Sequence, residues 1–156
     1  MSESKRLSPG LKRLLGGGGF DARRKLSIPL LTCDPEGMPR AALLAFSEIR
    51  ALSPTRLSVA VASGSRTEAN LIRRRGATVL LLDAGAAVTI QARAGKGKPS
   101  VTAPEKKIFP LTVVGVKEDA SLPGEADLAL VNGPRFAGPS ADAIFSPALF
   151  DELGLE

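Results

Sequence analysis

Apolar and polar positions change period along this chain, and the changes mark its elements. In 56–62 Leu57, Val59 and Val61 fall on one side of an extended segment, which predicts a strand with one mostly buried face. Ser63 and Gly64 then stop the alternation. Ser65 and Glu68 have the spacing of a capping box: the hydroxyl accepts a first-turn amide while the carboxylate reaches back to the Ser65 amide. A short helix is therefore predicted, with Ala69, Leu71 and Ile72 on its apolar side. Arg73, Arg74 and Arg75 fill its last turn, where the helix dipole favours cations, and Gly76 is expected to end it. A second strand follows over 78–82. The polar turn between strand and helix combines free first-turn amides, hydroxyls and a guanidinium, which makes it the chain's best candidate anion site.

Ser8 and Pro9 resemble a helix start, with Leu11, Leu14 and Leu15 on one side, and Gly16 to Gly19 form a joint before a polar stretch over 21–25. Strands are expected over 26–32, where Pro29 marks an edge or bend, and over 40–46, joined by the Asp34-Pro35-Glu36-Gly37 turn. The segment 47–52 leads to a turn at Ser53-Pro54-Thr55. Alternation of Val88, Ile90 and Ala92 with Thr89, Gln91 and Arg93 predicts a half-exposed strand over 87–94, after a turn at Ala84-Gly85. A polar loop over 95–99 precedes the last long strand, 106–117, in which Pro110 suggests an edge or bulge and Gly115 a bend or close approach. A weak helix over 124–131 and a final amphipathic turn opened by Ser146-Pro147, carrying Leu149, Phe150 and Leu153, complete the set. About six strands with hairpin-like connections favour a mainly β (α+β) class, a small antiparallel barrel with short flanking helices, over a doubly wound sheet.

Composition narrows the chemistry. The 156 residues suffice for one domain, divided here into a basic N-terminal leader with a short helix (1–25) and a barrel domain (26–156). With no His, Trp or Tyr, histidine-based triads and metal sites are excluded. Cys33 is the single cysteine, so no intrachain disulfide can form; with no long apolar run, a reducing cytoplasm and no membrane are expected. Cys33, beside a turn and with no visible activating partner, reads as inert. So thin a set of proton shuttles points either to a non-enzyme or to chemistry carried by a bound cofactor. The net charge of +5 resides in 1–25, with seven Lys/Arg against Glu3 and Asp21, and the remaining residues balance. From Glu118 onward eight acids face Arg135 alone. A neutral body without Tyr or Trp to stack bases argues against nucleic acid as a partner.

Taken together, LSIPLLTCDPEGMPRAALLAF, RLSVAVASGSRT, EANLIRRR and GATVLLL resemble the pyridoxamine 5′-phosphate oxidase-like FMN-binding split-barrel family, over roughly residues 26–94. GSRTEANL is the most specific piece. The resemblance implies a six-stranded split barrel, a homodimer, and two FMN sites at the dimer interface. It places cofactor contacts at Ser63, Gly64, Ser65, Arg66, Thr67 and Asn70, and at Arg40 as a second phosphate or pyrimidine-edge contact. A phosphate monoester would meet Arg66 and the Ser65 and Thr67 hydroxyls through charge-assisted hydrogen bonds, with Ser63 and Gly64 letting the backbone approach. Asn70 either orients a flavin edge or bonds a neighbouring carbonyl.

The chain also departs from that pattern. Thr67 stands where many relatives carry Lys, Ala60 and Val61 replace aromatic and hydroxyl residues, and nothing after Lys117 matches the arginine- and histidine-containing segment for a pyridoxal substrate. Pyridoxamine phosphate oxidase activity is therefore not expected. The reading that remains is an FMN-dependent oxidoreductase acting on a small molecule, with the deazaflavin F420 as the alternative cofactor. The competing reading is a flavin-binding scaffold without turnover.

Overall fold

The computed structural model describes residues 2–18, 23–83, 86–119, 133–141 and 144–155. The helix expected over 124–131, the Ala84-Gly85 turn and part of the glycine joint lie outside them. Nine strands are described: β1 (Ser2–Ser4), β2 (Ser27–Cys33), β3 (Pro39–Ala45), β4 (Ile49–Ser53), β5 (Arg56–Ala62), β6 (Gly76–Asp83), β7 (Ala86–Ala94), β8 (Lys98–Pro99) and β9 (Lys106–Asp119). Three short helices accompany them, α1 (Pro9–Leu15), α2 (Arg66–Arg74) and α3 (Pro147–Leu153), with one 3-10 turn at Phe46–Glu48.

All strand pairs are antiparallel, in the order β3-β2-β6-β7-β9-β5-β4, with β1 and β8 added along β9. The mainly β class stands, with seven strands on the path rather than six. The seventh is β4, and the segment leading to it contains the 3-10 turn, in which Glu48 accepts from the Ala45 amide at 2.7 Å. The 95–99 loop contains β8, a two-residue strand too short to leave a periodic signal.

The prolines and glycines explain the irregularities. Pro29 lies in an internal strand but just beyond the two positions, Leu30 and Leu31, at which β2 pairs β6. Pro110 lies on β9 between the last partner of β7, Leu111, and the first of β8, Ile108, where its missing N–H leaves no ladder bond unmade. A register shift leaves Val114 out of the β7–β9 pairing beside Gly115, and this bulge bends β9 there.

Two layers close around the sheet. The inner face carries strand residues such as Ile28, Leu57, Val59, Ile90, Phe109 and Leu111, all buried. Leu7, Leu11 and Leu15 join this same cluster, so α1, the helix expected in the basic leader, packs into the body. The outer side of β5 is covered too: Ala60 and Ile108 pack with Leu149 and Leu153 of α3. Hence β5 is buried on both faces rather than one. Arg50 holds α3 in place, with its guanidinium 4.5 Å from the Phe150 ring centroid and Nη1 donating to the Phe150 carbonyl at 3.0 Å. Among the described residues, no helix is long and apolar enough to cross a membrane.

Helix α2 ends differently from the expectation. Arg75, not Gly76, takes the left-handed conformation (φ 64°), and Gly76 is already the first residue of β6. A Cβ in that region brings a steric cost that glycine avoids. Arg75→Gly is therefore expected to stabilise the fold by about 1 kcal/mol in a denaturant titration.

Candidate functional site

Ser65 caps α2 as its spacing predicts, its hydroxyl accepting from the Glu68 amide at 3.2 Å. The carboxylate half of the box is displaced by one residue. Glu68 accepts from the Gly64 amide at 3.4 Å, while the Ser65 amide donates to the Ala62 carbonyl. Gly64 permits this turn because its φ is 77°. The Ser65 hydroxyl also donates to the Ala62 carbonyl at 2.6 Å, so its proton holds the turn rather than pointing at a ligand. Ser63 is likewise tied, its amide donating to the Glu105 carbonyl at 2.9 Å. Ser63, Gly64 and Ser65 therefore build the loop that starts the helix. The Arg66 and Thr67 amides have no partner among the described residues and leave the first turn with donors to offer.

On the flank of this helix lies a cleft of about 330 Å³ lined by Arg40, Arg66, Asn70, Arg73, Asp34 and Glu36. Arg66, Asn70 and Arg73 stand at i, i+4 and i+7, which places them on one helix face. The opposite wall is the β2–β3 hairpin. Three of the seven predicted positions, Arg40, Arg66 and Asn70, thus meet in one concavity although they come from a strand and a helix. Ser63, Gly64, Ser65 and Thr67 are outside its lining, on the turn at the helix start.

The hairpin orients Arg40. Asp34 accepts the Glu36 and Met38 amides at 3.0 and 2.9 Å with one oxygen, and Arg40 Nε at 3.1 Å with the other. The Met38 amide above all holds the Asp34 carboxyl below its usual range, against the opposing effect of burial, with Arg40 and the Glu36 amide adding to it. Arg40 is half exposed, and Asp34 fixes its Nε while its terminal nitrogens remain for the cleft. Arg74 donates to the Pro35 carbonyl at 2.7 Å, which ties α2 to the hairpin. Asn70 Nδ2 donates to Thr32 Oγ1 at 3.0 Å, a side-chain hydroxyl rather than the expected carbonyl, and the residue stays at the cleft wall.

Arg66 is exposed, with no partner for its guanidinium among the described residues. The donor set, two guanidinium groups beside the free first-turn amides of a helix, suits a phosphate dianion. Two lining residues stand outside the sequence candidates. Arg73 belongs to the basic helix end, and its i+7 spacing from Arg66 is the signal that it also shares the cleft face. Asp34 carries only a turn signal in the sequence.

This sheet order, with short helices at its flanks, is the split-barrel fold of the pyridoxamine 5′-phosphate oxidase-like type. Solved structures share it. A Lactobacillus delbrueckii protein provisionally named pyridoxamine 5′-phosphate oxidase matches with TM-score 0.58 and 18% identity over 75% of this chain and 99% of its own. An FMN-binding protein from Syntrophomonas wolfei gives 0.55 and 14% over 72% and 85%. An F420 reductase gives 0.53 and 12% over 71% and 98%. No family model matches the chain. In sequence, the chain is 30% identical over 116 residues to the uncharacterised Bacillus subtilis protein YclD, covering 74% of this chain and 75% of that one. The chain belongs to the family of YclD.

Proposed function

We propose that this protein binds FMN and works as a flavin-dependent oxidoreductase on a small molecule. The observation that carries the reading is the meeting of Arg40 and Arg66, from two separate elements, in one cleft on the flank of a helix whose Arg66 and Thr67 amides have no partner among the described residues. In this reading Arg66 and those amides hold the phosphate, Arg40 closes on it from the hairpin, and Asp34 keeps Arg40 aimed. When bound, FMN supplies hydride chemistry, which this chain's own side chains cannot perform. That division of labour fits a chain with no His, Tyr or Trp.

The 330 Å³ cleft takes the phosphate end, and the ring extends beyond it. A homodimer fits this need. The outer edge of β3 pairs with no described strand, and Met38 and Leu43 beside it are 61% and 60% exposed, which leaves apolar surface for a second copy to cover. F420 in the same groove is a second reading, favoured by the likeness to the F420 reductase. A reducing cytoplasm suits the lone Cys33.

The test is the visible absorption spectrum of the protein after incubation with FMN and desalting, followed by anaerobic addition of NADH or NADPH. Retained flavin bands that bleach with a reductant are the expected outcome. Retained bands that no reductant bleaches would keep the binding and remove the oxidoreductase. A colourless protein that instead retains F420 would transfer the site to the deazaflavin.

A further inference from the structure

We propose that the cleft on the other flank of α2 is a second ligand site, built for an anionic head group carried on an apolar body. This goes beyond the flavin reading and does not depend on it. The cleft has a volume of about 320 Å³ and combines Leu71, Ile72 and Phe109 with Arg75, Lys96 and Lys107. Among the described residues, no acidic side chain lines it. Ile72 is 57% exposed there, an apolar side chain in water beside three cations.

The cations are carried on ordered backbone. Ala94 and Gly95 donate to the carbonyls of Arg75 and Pro110 at 2.7 and 2.8 Å, which straps the loop after β7 across both α2 and β9. A Cβ on Gly97 would come within 2.6 and 2.7 Å of the Phe109 ring, and one on Gly95 within 2.9 Å of Pro110. Only glycines let the loop press this closely, and Lys96 is the residue between them.

Structural duties account for part of the charge and leave the rest. Arg75 follows the helix C-terminus, where a cation is favoured without any ligand. Lys107 Nζ stands 3.5 Å from Glu68 Oε2, an ion pair longer than a hydrogen bond. Lys96 is exposed and has no partner among the described residues. A carboxylate, sulfonate or phosphate ester with a hydrocarbon or aromatic body would satisfy both features at once: the head meets Lys96, Arg75 and Lys107, and the body covers Ile72 over Leu71 and Phe109.

The probe is 1-anilinonaphthalene-8-sulfonate, titrated into the folded protein by fluorescence, with decanoate and decanol as competitors. Saturable binding at one site is expected, displaced by decanoate at concentrations where decanol has little effect. Lys96→Glu should weaken the probe at least tenfold, and Ile72→Gln several-fold, with the melting temperature unchanged because both side chains are exposed. Arg66→Ala should leave the probe untouched while it weakens FMN, so the two sites fail separately. Absence of saturable binding, equal competition by decanol, or unchanged affinity in both Lys96→Glu and Ile72→Gln would overturn the assignment.

Discussion

Arg66→Ala is expected to weaken FMN binding about 10- to 150-fold, the loss of a charge-assisted contact worth about 1.5–3 kcal/mol. The lower part of that range is the better expectation because Arg66 is exposed, and water screens the contact it replaces. The side chain sits at the first position of α2 and serves no internal bond among the described residues, so its removal leaves the fold intact. Riboflavin affinity should hardly change, since riboflavin has no phosphate. Arg66→Lys should recover part of the affinity, for an ammonium supplies the charge without the two-pronged geometry. Titration of each variant by flavin fluorescence checks this. Equal FMN affinity in the wild type and Arg66→Ala would remove the phosphate from this cleft.

The largest expected effect on stability lies in a different network. Glu152 of α3 is 8% exposed and accepts from the Ser100 hydroxyl at 2.7 Å, the Val101 amide at 2.8 Å and the Thr102 amide at 3.0 Å. It thereby fastens the C-terminal helix to the loop between β8 and β9. Glu152→Ala strands those donors and should cost about 2–4 kcal/mol, which lowers the melting temperature of a domain this size by about 5–15 °C. Glu152→Gln should fall between the two, because one oxygen can still accept while the new NH₂ group faces the Val101 amide. Burial pushes the Glu152 carboxyl up, but the Ser100, Val101 and Thr102 bonds outweigh it and bring it from an ordinary 4.5 to about 2. A carboxyl depressed by folding stabilises the protein fully above its unfolded value and loses that contribution as pH falls through its folded one. The acid arm of the stability profile between about pH 4.5 and 2 should therefore flatten in Glu152→Gln. An unchanged acid arm would show that the network contributes nothing.

The parts of this fold that were legible in the sequence are those decided within one turn or one strand. Alternation at Leu57, Val59 and Val61 marked β5 to the residue, and Ser8 and Ser65 each accept a first-turn amide, as expected of caps. Contacts between distant segments were not legible. Glu152 meets Ser100 across 52 residues and Asn70 meets Thr32 across 38, with no periodicity to announce either. Gly76 misled because glycine after a basic turn is the usual helix stop, whereas here a strand begins at once and Arg75 absorbs the reversal. The leucines of α1 showed an apolar side, but nothing local identified the sheet as what covers it.

The candidate site divides in the same way. The Ser-Arg-Thr turn could be read from capping and charge alone. Arg40 came only with the family resemblance, and the structure brings it to the same cleft as Arg66. Its alignment by Asp34 depends on the hairpin closing, which places one carboxylate oxygen on two amides and the other on the guanidinium. Thr67 lies on the turn outside the cleft lining, so the missing family lysine takes nothing from the cleft wall itself, where Arg73 stands.

The most direct measurement is the affinity of the wild-type protein for FMN against riboflavin, titrated side by side at low and high salt. Tighter FMN binding, with the preference shrinking as salt rises, is the expected result for a phosphate held by arginines. Equal affinities for the two flavins, or none for either, would contradict it.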